Sequence, residues 1–408
     1  MTLLGPRMAD AQTVTINTAQ DYVTAINTAN ASSGGTVIAI DATPGNVVSL
    51  GAVTLPALTG GTLQISDGNT DTPIADGTIT NNTQVTFFPP ASTNDVVTTN
   101  ISGLGAVTVN LTNLSGTGAQ SAGFTLAGTN TYTGGTTISG QYSFAFPTLL
   151  GAATLASTTA LPGYGTAAAN GSITLTNYGG LATGYALDQT TLNALTTGSV
   201  GFVALGADSA NNLSFASLPQ VSLGAVYDPT GVNPTWTFSG TLTPTSGSPD
   251  SQGAAYQYLV GGGNGVLSIA SNLGDNNATP TELDAINTGY TILSGTNTFT
   301  GGMTVVTGTV QLATPSAYCN GFGQGCAPIV VQGPGVLATS YALDQTTLNA
   351  IGPASAGVVA LGADSSNNLN FTNLPNLSLG AAGNYTYSGI ITPGANGYLL
   401  GGGNVPQL

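Results

Sequence analysis

Apolar and polar residues alternate along most of this chain in short pieces of three to five, separated by turns. TVTI, GTVIAI, GTLQIS, GSITLT, FVALGA, MTVVTG and GTVQLA recur in this way. Thr and Val favour pleated strands, and the Gly and Asn between them supply tight turns. Each run has about the length of one face of a parallel β-helix. The period changes near the start. Thr18-Ala-Gln-Asp21 has the Ser/Thr-x-x-acid form of a capping box, and Tyr22, Val23, Ala25, Ile26 and Ala29 fall on one helical face. This predicts a helix that ends near Asn30, before Ser32-Ser33-Gly34-Gly35. A helix at that place would shield the open edge and apolar end that a β-helix otherwise leaves bare.

Internal repeats dominate the rest. Residues 185–225 and 341–381 align without a gap at an offset of 156, with 29 of 41 positions identical. GTNTYTGG from Gly128 and GTNTFTGG from Gly295 lie 167 apart, and YLVGGGN and YLLGGGN place Gly261 and Gly401 140 apart. Landmarks that persist while their spacing shrinks imply stacked units with variable surface loops. The Pro/Gly-rich stretch 227–257 contracts to about 384–397 in the second copy. Solenoids absorb such edits because each rung touches only its neighbours. The predicted fold is therefore all-β, a right-handed parallel β-helix (solenoid) with a short N-terminal capping helix and loop insertions. A meandering β-sandwich is the rival. The expected divisions are a leader remnant at 1–11, the cap and first coils at 12–123, a first long repeat at 124–290 and a shortened one at 291–408.

Composition narrows the function. The 408 residues carry one Lys or Arg against 16 Asp and Glu, with no His, for a formal charge of −15. Only 4% are charged, against roughly 25% in ordinary domains, yet 41% are hydrophobic, which argues against disorder. A chain whose one base is Arg7 cannot neutralise phosphates, so neither nucleic acid nor an anionic membrane surface is an expected partner. Without His there is no Ser-His-Asp or Cys-His engine. No run approaches the roughly 20 apolar residues of a membrane helix, so membrane insertion is not expected. Ala9-Asp10-Ala11 has the small-x-small form of a leader cleavage site, which would start the mature chain at Gln12. An ordinary terminus is the alternative. Cys319 and Cys326, with three Gly between them, predict a loop disulfide in an oxidising compartment, with free thiols as the alternative. Two thiols fall short of a four-ligand metal site.

GTNTYTGGTTISG at 128–140 and LSGTNTFTGGMTVVTGTVQLATPSA at 293–317 resemble the autotransporter-associated β-strand repeat, also described as a passenger-associated transport repeat. The YALDQTTLNA, GVVALGADSSNNLNF, LPNLSLGA and YLLGGGN words are similar to spacers between such copies in large bacterial surface proteins. The likeness covers roughly 124–408. The first copy departs after Gly140, where YSFAFPTLL replaces a GTLQL-type strand. TINTAQDYVTAINTANASSGGTVIAI at 15–40 resembles the N-terminal cap of pectate-lyase-like right-handed β-helices. The resemblance implies secretion and a right-handed β-helix passenger; it does not imply a catalytic activity. No C-terminal run of alternating strands suggests the membrane barrel that autotransporters carry. The last landmark, Gly401-Gly-Gly-Asn404, predicts either a fragment or an open end able to template assembly.

Carboxylates are the remaining route to chemistry. The lyases of the resembled fold work with Asp-bound calcium and a basic residue, and this chain has no Lys. A carboxylate-only glycoside hydrolase needs two acids about 5–10 Å apart. Asp188 and Asp344, like Asp208 and Asp364, are repeat-equivalent, which favours structural work such as capping the TTLNA helices. Asp67, Asn69 and Asp71 have the one-three-five spacing of a calcium loop, but Thr72 and Thr78 stand where Gly and Glu belong. A polar turn is the plainer reading there, and Asp76 is a further candidate oxygen. Asp275-Asn276-Asn277 with Glu282 and Asp284 is a weaker set, since TPTELDAI reads equally as a helix start. Tyr132 and Phe299 are repeat-equivalent aromatics, either rung packing or a sugar-stacking ladder. No cofactor is expected apart from that calcium. The function predicted is a non-enzymatic, secreted bacterial structural protein of the cell surface or matrix, adhesive or self-assembling into fibres. A polysaccharide-binding module is the first alternative, and the glycosidase the second.

Overall fold

In the computed structural model the described residues are 11–32, 35–41, 48–67, 74–89, 94–111, 123–140, 152–226, 235–246, 254–263, 265–323 and 325–403. Among the described residues the fold is all-β, with about 13 parallel stacked turns of β-solenoid, and the sandwich rival is set aside. It divides into two compact units, Met1–Tyr142 with Leu150–Tyr185 and Asn193–Val200, and Ser143–Leu149 with Ala186–Leu192 and Gly201–Leu408.

In the first unit a parallel sheet runs in the order Gln12–Ile16, Thr36–Asp41, Thr62–Asp67, Gln84–Phe88, Ala106–Asn110, Thr136–Ser139, Ile173–Thr176. The register makes ladders of like residues. Val37, Leu63, Val85 and Val107 stack in one column, and Ala39, Ile65, Phe87, Val109, Ile138 and Leu175 in the next, all buried. Each such aliphatic side chain contributes about 1.5–3 kcal/mol on leaving water. A slip of one residue would turn every one of them outward, so the alternation in the sequence fixes the register. A second parallel stack in this unit holds Asn94–Val97, Gly123–Leu126, Ala152–Leu155 and Gly179–Thr183.

The expected helix is present as Ala19–Ala31. The Asp21 carboxylate accepts from the backbone N–H of Asn17 and Thr18 (both 2.9 Å) and from the Thr18 hydroxyl (3.0 Å). Tyr22, Ala25, Ile26 and Ala29 are buried, while Val23 is half-exposed. At its far end Asn30 accepts from the N–H of Thr59 (2.7 Å) and Gly60 (3.0 Å) and donates to Ala57 O (2.8 Å), which ties the helix to the coil above.

The second unit stacks Gly201–Leu205, Val221–Ala225, Tyr256–Val260, Thr281–Ala285, Met303–Val305 and Ile329–Val331 on one face. Another face stacks Thr235–Phe238, Val266–Ile269, Tyr290–Leu293, Thr309–Leu312, Val336–Thr339, Val358–Leu361 and Ser378–Ala381. Phe238, Ile269, Leu293 and Leu312 form one of its buried columns. One expectation is corrected here. TPTELDAI starts no helix: Thr281–Ala285 is a strand held in parallel register between two others. Long-range pairing outweighs the local helix signal.

Candidate functional sites

The internal repeats acquire roles from atoms upward. In GTNTYTGG and GTNTFTGG the shared Asn joins three coils. Asn130 accepts from Ile101 N–H (2.9 Å) and donates to Ala160 O (3.0 Å), while Asn297 accepts from Leu273 N–H (2.8 Å) and donates to Ala317 O (2.7 Å). Both Asn are buried. The first Gly of each word is a close-approach position: a Cβ at Gly128 or Gly295 would lie 2.2 Å from the carbonyl oxygen of Thr99 or Ser271. Tyr132 and Phe299 are 2% and 0% exposed, so the sugar-ladder reading of this pair is overturned. They fill the interior, with the Tyr132 hydroxyl on Thr136 (2.6 Å) and the Phe299 ring packed between Tyr258 and Tyr318.

The repeated acids bind backbone. Asp188 and Asp344 accept from the N–H and hydroxyl of Thr191 and Thr347, all at 2.9 Å, at the starts of the short helices Gln189–Asn193 and Gln345–Asn349. Asp208 and Asp364 each accept from a backbone N–H of the next coil, Thr237 and Thr386, at 2.7 Å. Asn212 and Asn368 do the same for Thr241 and Ile390 at 3.0 Å. Identity between the copies therefore tracks coil-to-coil hydrogen bonding.

Of the calcium candidates, Asp67 closes the strand Thr62–Asp67, and Asn69 and Asp71 lie outside the described residues. Asp76 accepts from the Ser49 hydroxyl (3.2 Å). Asp275 accepts from Thr281 N–H (3.0 Å), Thr300 N–H (2.8 Å) and the Thr300 hydroxyl (2.8 Å), which makes it a turn anchor. Glu282 and Asp284 are buried on the strand Thr281–Ala285, with Thr304 donating to Glu282 (2.7 Å). Among the described residues no cluster of three or more His, Cys, Asp or Glu side chains forms a metal-binding group. The leader-like residues 1–10 are also outside the described set.

Cys319 and Cys326 are joined, with their Cα atoms 6.4 Å apart. The loop starts with four consecutive residues of positive φ, from Cys319 (45°) to Phe322 (63°). Asn320 N–H donates to Asn297 O (2.6 Å), and the Tyr318 hydroxyl donates to Ala327 O, so the loop is seated on the second GTNT word. Burial pushes the Tyr318 phenol well above its ordinary range, helped by nearby Glu282.

Two surfaces of the second unit are built from side chains that the sequence reading did not name. The first is a groove lined by Gln345, Asn349, Asn370 and Asn373 over Leu348, Ile351 and Leu374. The second is the last described coil. Of the five large apolar side chains strongly exposed among the described residues, Tyr385, Ile390, Tyr398 and Leu400 lie in it, and the fifth is Leu104. The signal for this coil was present as TFSGTLTP at 237–244 and TYSGIITP at 386–393, offset by 149, too diverged to stand out. The two stretches hold the same place: Leu213–Ser214 pairs with Leu242–Thr243, and Leu369–Asn370 pairs with Ile391–Thr392.

No family model matches the chain, and no match is found among curated proteins or solved structures.

Proposed function

We propose that this chain is a secreted structural protein of a bacterial surface or extracellular matrix that associates with itself. The observation that carries this reading is the concentration of exposed apolar side chains in the last described coil. Exposed large apolar side chains gathered in one coil support a role in association. Several features support the extracellular part: a chain almost free of basic residues, a bonded cysteine pair, the leader-like Ala9-Asp10-Ala11 and the resemblance of the GTNTxTGG words to autotransporter-associated repeats. The absence of catalysis is part of the same proposal. The acids shared by both repeats are engaged in backbone capping, which leaves none of them as a paired acid and base.

A second reading is favoured by the amide-lined groove. Gln and Asn side chains over an apolar floor suit the hydroxyls and carbon faces of a neutral polysaccharide. The test is fractionation of producing cells under non-denaturing conditions, followed by sedimentation of the extracellular fraction. The proposal expects the protein there, in species heavier than its 40.1 kDa chain. Monomer confined to the cytosol would refute it, and extracellular monomer retained on polysaccharide columns would favour the second reading.

A further inference from the structure

Deepening the polysaccharide reading of the amide-lined groove, on which it rests, we propose that this groove binds a segment of an uncharged glycan through Asn349, Asn370 and Asn373. The groove has a volume of about 570 Å³, within the roughly 300–1,000 Å³ of small-ligand clefts. It is built by residues 345–353 of one coil and 370–374 of the next. Both coils are paired to described neighbours: Ile351 bridges to Ile329, and Leu369–Asn370 pairs with Ile391–Thr392. The walls are fixed from within the chain. Gln345 accepts from Asn370 N–H (2.7 Å) and donates to Asn370 O (3.4 Å) and to Asn349 Oδ1 (2.8 Å). Asn370 Oδ1 accepts from the Thr372 N–H (2.9 Å) and hydroxyl (2.6 Å). These bonds use the amide oxygens of Asn349 and Asn370. Their NH2 groups, and the whole Asn373 amide, have no partner among the described residues, and all three side chains are exposed.

The first copy of the repeat separates what supports the fold from what does not. Gln189 accepts from Ser214 N–H (2.7 Å) and donates to Ser214 O (3.4 Å), just as Gln345 does with Asn370. Leu192 and Leu218 are buried like Leu348 and Leu374. That scaffold is common to both copies, and the amides are not. Where the second copy has Asn370 and Asn373, the first has Ser214 and Ser217. Four of the eight groove residues differ between the copies, at 351, 353, 370 and 373, against eight of the other 33 aligned positions. The copies thus diverge most on a surface the coil stacking does not need. Each added amide brings two donors and an acceptor, a match for sugar hydroxyls that both give and take a hydrogen bond. The floor of Leu348, Ile351 and Leu374, with the exposed Pro353 beside it, meets the carbon face of a sugar ring. Charge selects the class of glycan. No charged side chain lines the groove, and a chain of −15 repels a polyanion. A peptide strand fits less well, because the N–H and carbonyl of Asn370 are both held by Gln345 and are not open to strand addition.

Native electrophoresis of the full chain tests this, in gels cast with a neutral polysaccharide (dextran, mannan or a 1,3-β-glucan) or with alginate, a polyanion. The parent runs beside an Asn370→Ser/Asn373→Ser variant, which puts the first copy's residues on the same backbone, and an Asn384→Ser control at an exposed position outside the groove. Circular dichroism checks that the fold is kept. The expected result is retardation of parent and control in at least one neutral gel and none in alginate. The double variant should show an apparent dissociation constant raised roughly tenfold or more. A parent that runs unretarded in every neutral gel overturns both this inference and the polysaccharide reading it rests on. Retardation that survives the double change overturns the groove as the site and leaves polysaccharide binding standing. Retardation in alginate as strong as in the neutral gels overturns the choice of an uncharged glycan.

Discussion

Asn130 and Asn297 show how much one buried amide does in this chain. Each takes a backbone N–H from the coil below and gives one of its own to a carbonyl above. Replacing Asn297 by Ala leaves Leu273 N–H and Ala317 C=O without this buried partner, at a cost of about 2–4 kcal/mol. Urea unfolding is expected to show that loss, whereas an exposed control, Asn396→Ala, should stay within about 0.5 kcal/mol. The GTNTxTGG words were legible in the sequence as repeats, with packing as one of two readings of their aromatic. The Asn staple was not, because its partners lie 20 to 30 residues away along the chain. Tyrosines carry the second expectation at this scale. Burial raises the phenols of Tyr132, Tyr290 and Tyr341 from 10.0 to about 12. A folded value above the unfolded one gives stability that is complete below pH 10 and lost as pH rises through 12. Alkaline unfolding between pH 10 and 12 should accompany tyrosinate absorbance near 295 nm, with both changes appearing together rather than ionisation preceding unfolding.

Helix caps are the elements in which sequence and structure agree most closely. The capping box at Thr18 and Asp21, and the caps at Asp188 and Asp344, were readable because each is a contact within four residues. Asp344→Ala should cost about 1 kcal/mol and Asp344→Asn much less, since an amide oxygen still accepts from Thr347 N–H. Thermal melts of the two variants compare them directly. The Asp21 carboxyl is held below its ordinary 3.8, chiefly by the Asn17 N–H. A lowered folded value gives stability that is present above pH 3.8 and fades as pH falls further. Protection against hydrogen exchange, taken relative to the intrinsic rate at each pH, is therefore expected to fall in the helix Ala19–Ala31 below pH 3.8 before it falls in the sheets. TELDA was misread for the opposite reason. Its acidic residues and length suit a helix start, and what makes it a strand is its register against Tyr256–Val260 and Met303–Val305, which no local pattern reveals.

For the whole molecule, the near absence of bases decides the response to acid. When its carboxylates protonate, this chain becomes nearly neutral, where an ordinary protein becomes a repelling polycation. The β signal in circular dichroism is expected to persist at pH 2 and to collapse above pH 10; loss of β structure at pH 2 without aggregation would contradict this. The stacked fold was legible because its landmarks repeat while their spacing shrinks. Which side chains of the last described coil are exposed was hidden, since exposure depends on what lies over a residue and not on the residue itself: Tyr258 and Tyr398 share one word and differ more than tenfold in exposure. The most direct test of the account is immunogold electron microscopy of intact producing cells beside permeabilised ones. The account predicts gold on the outer surface or surrounding matrix of intact cells, with little added by permeabilisation. Label that appears only inside permeabilised cells would contradict it.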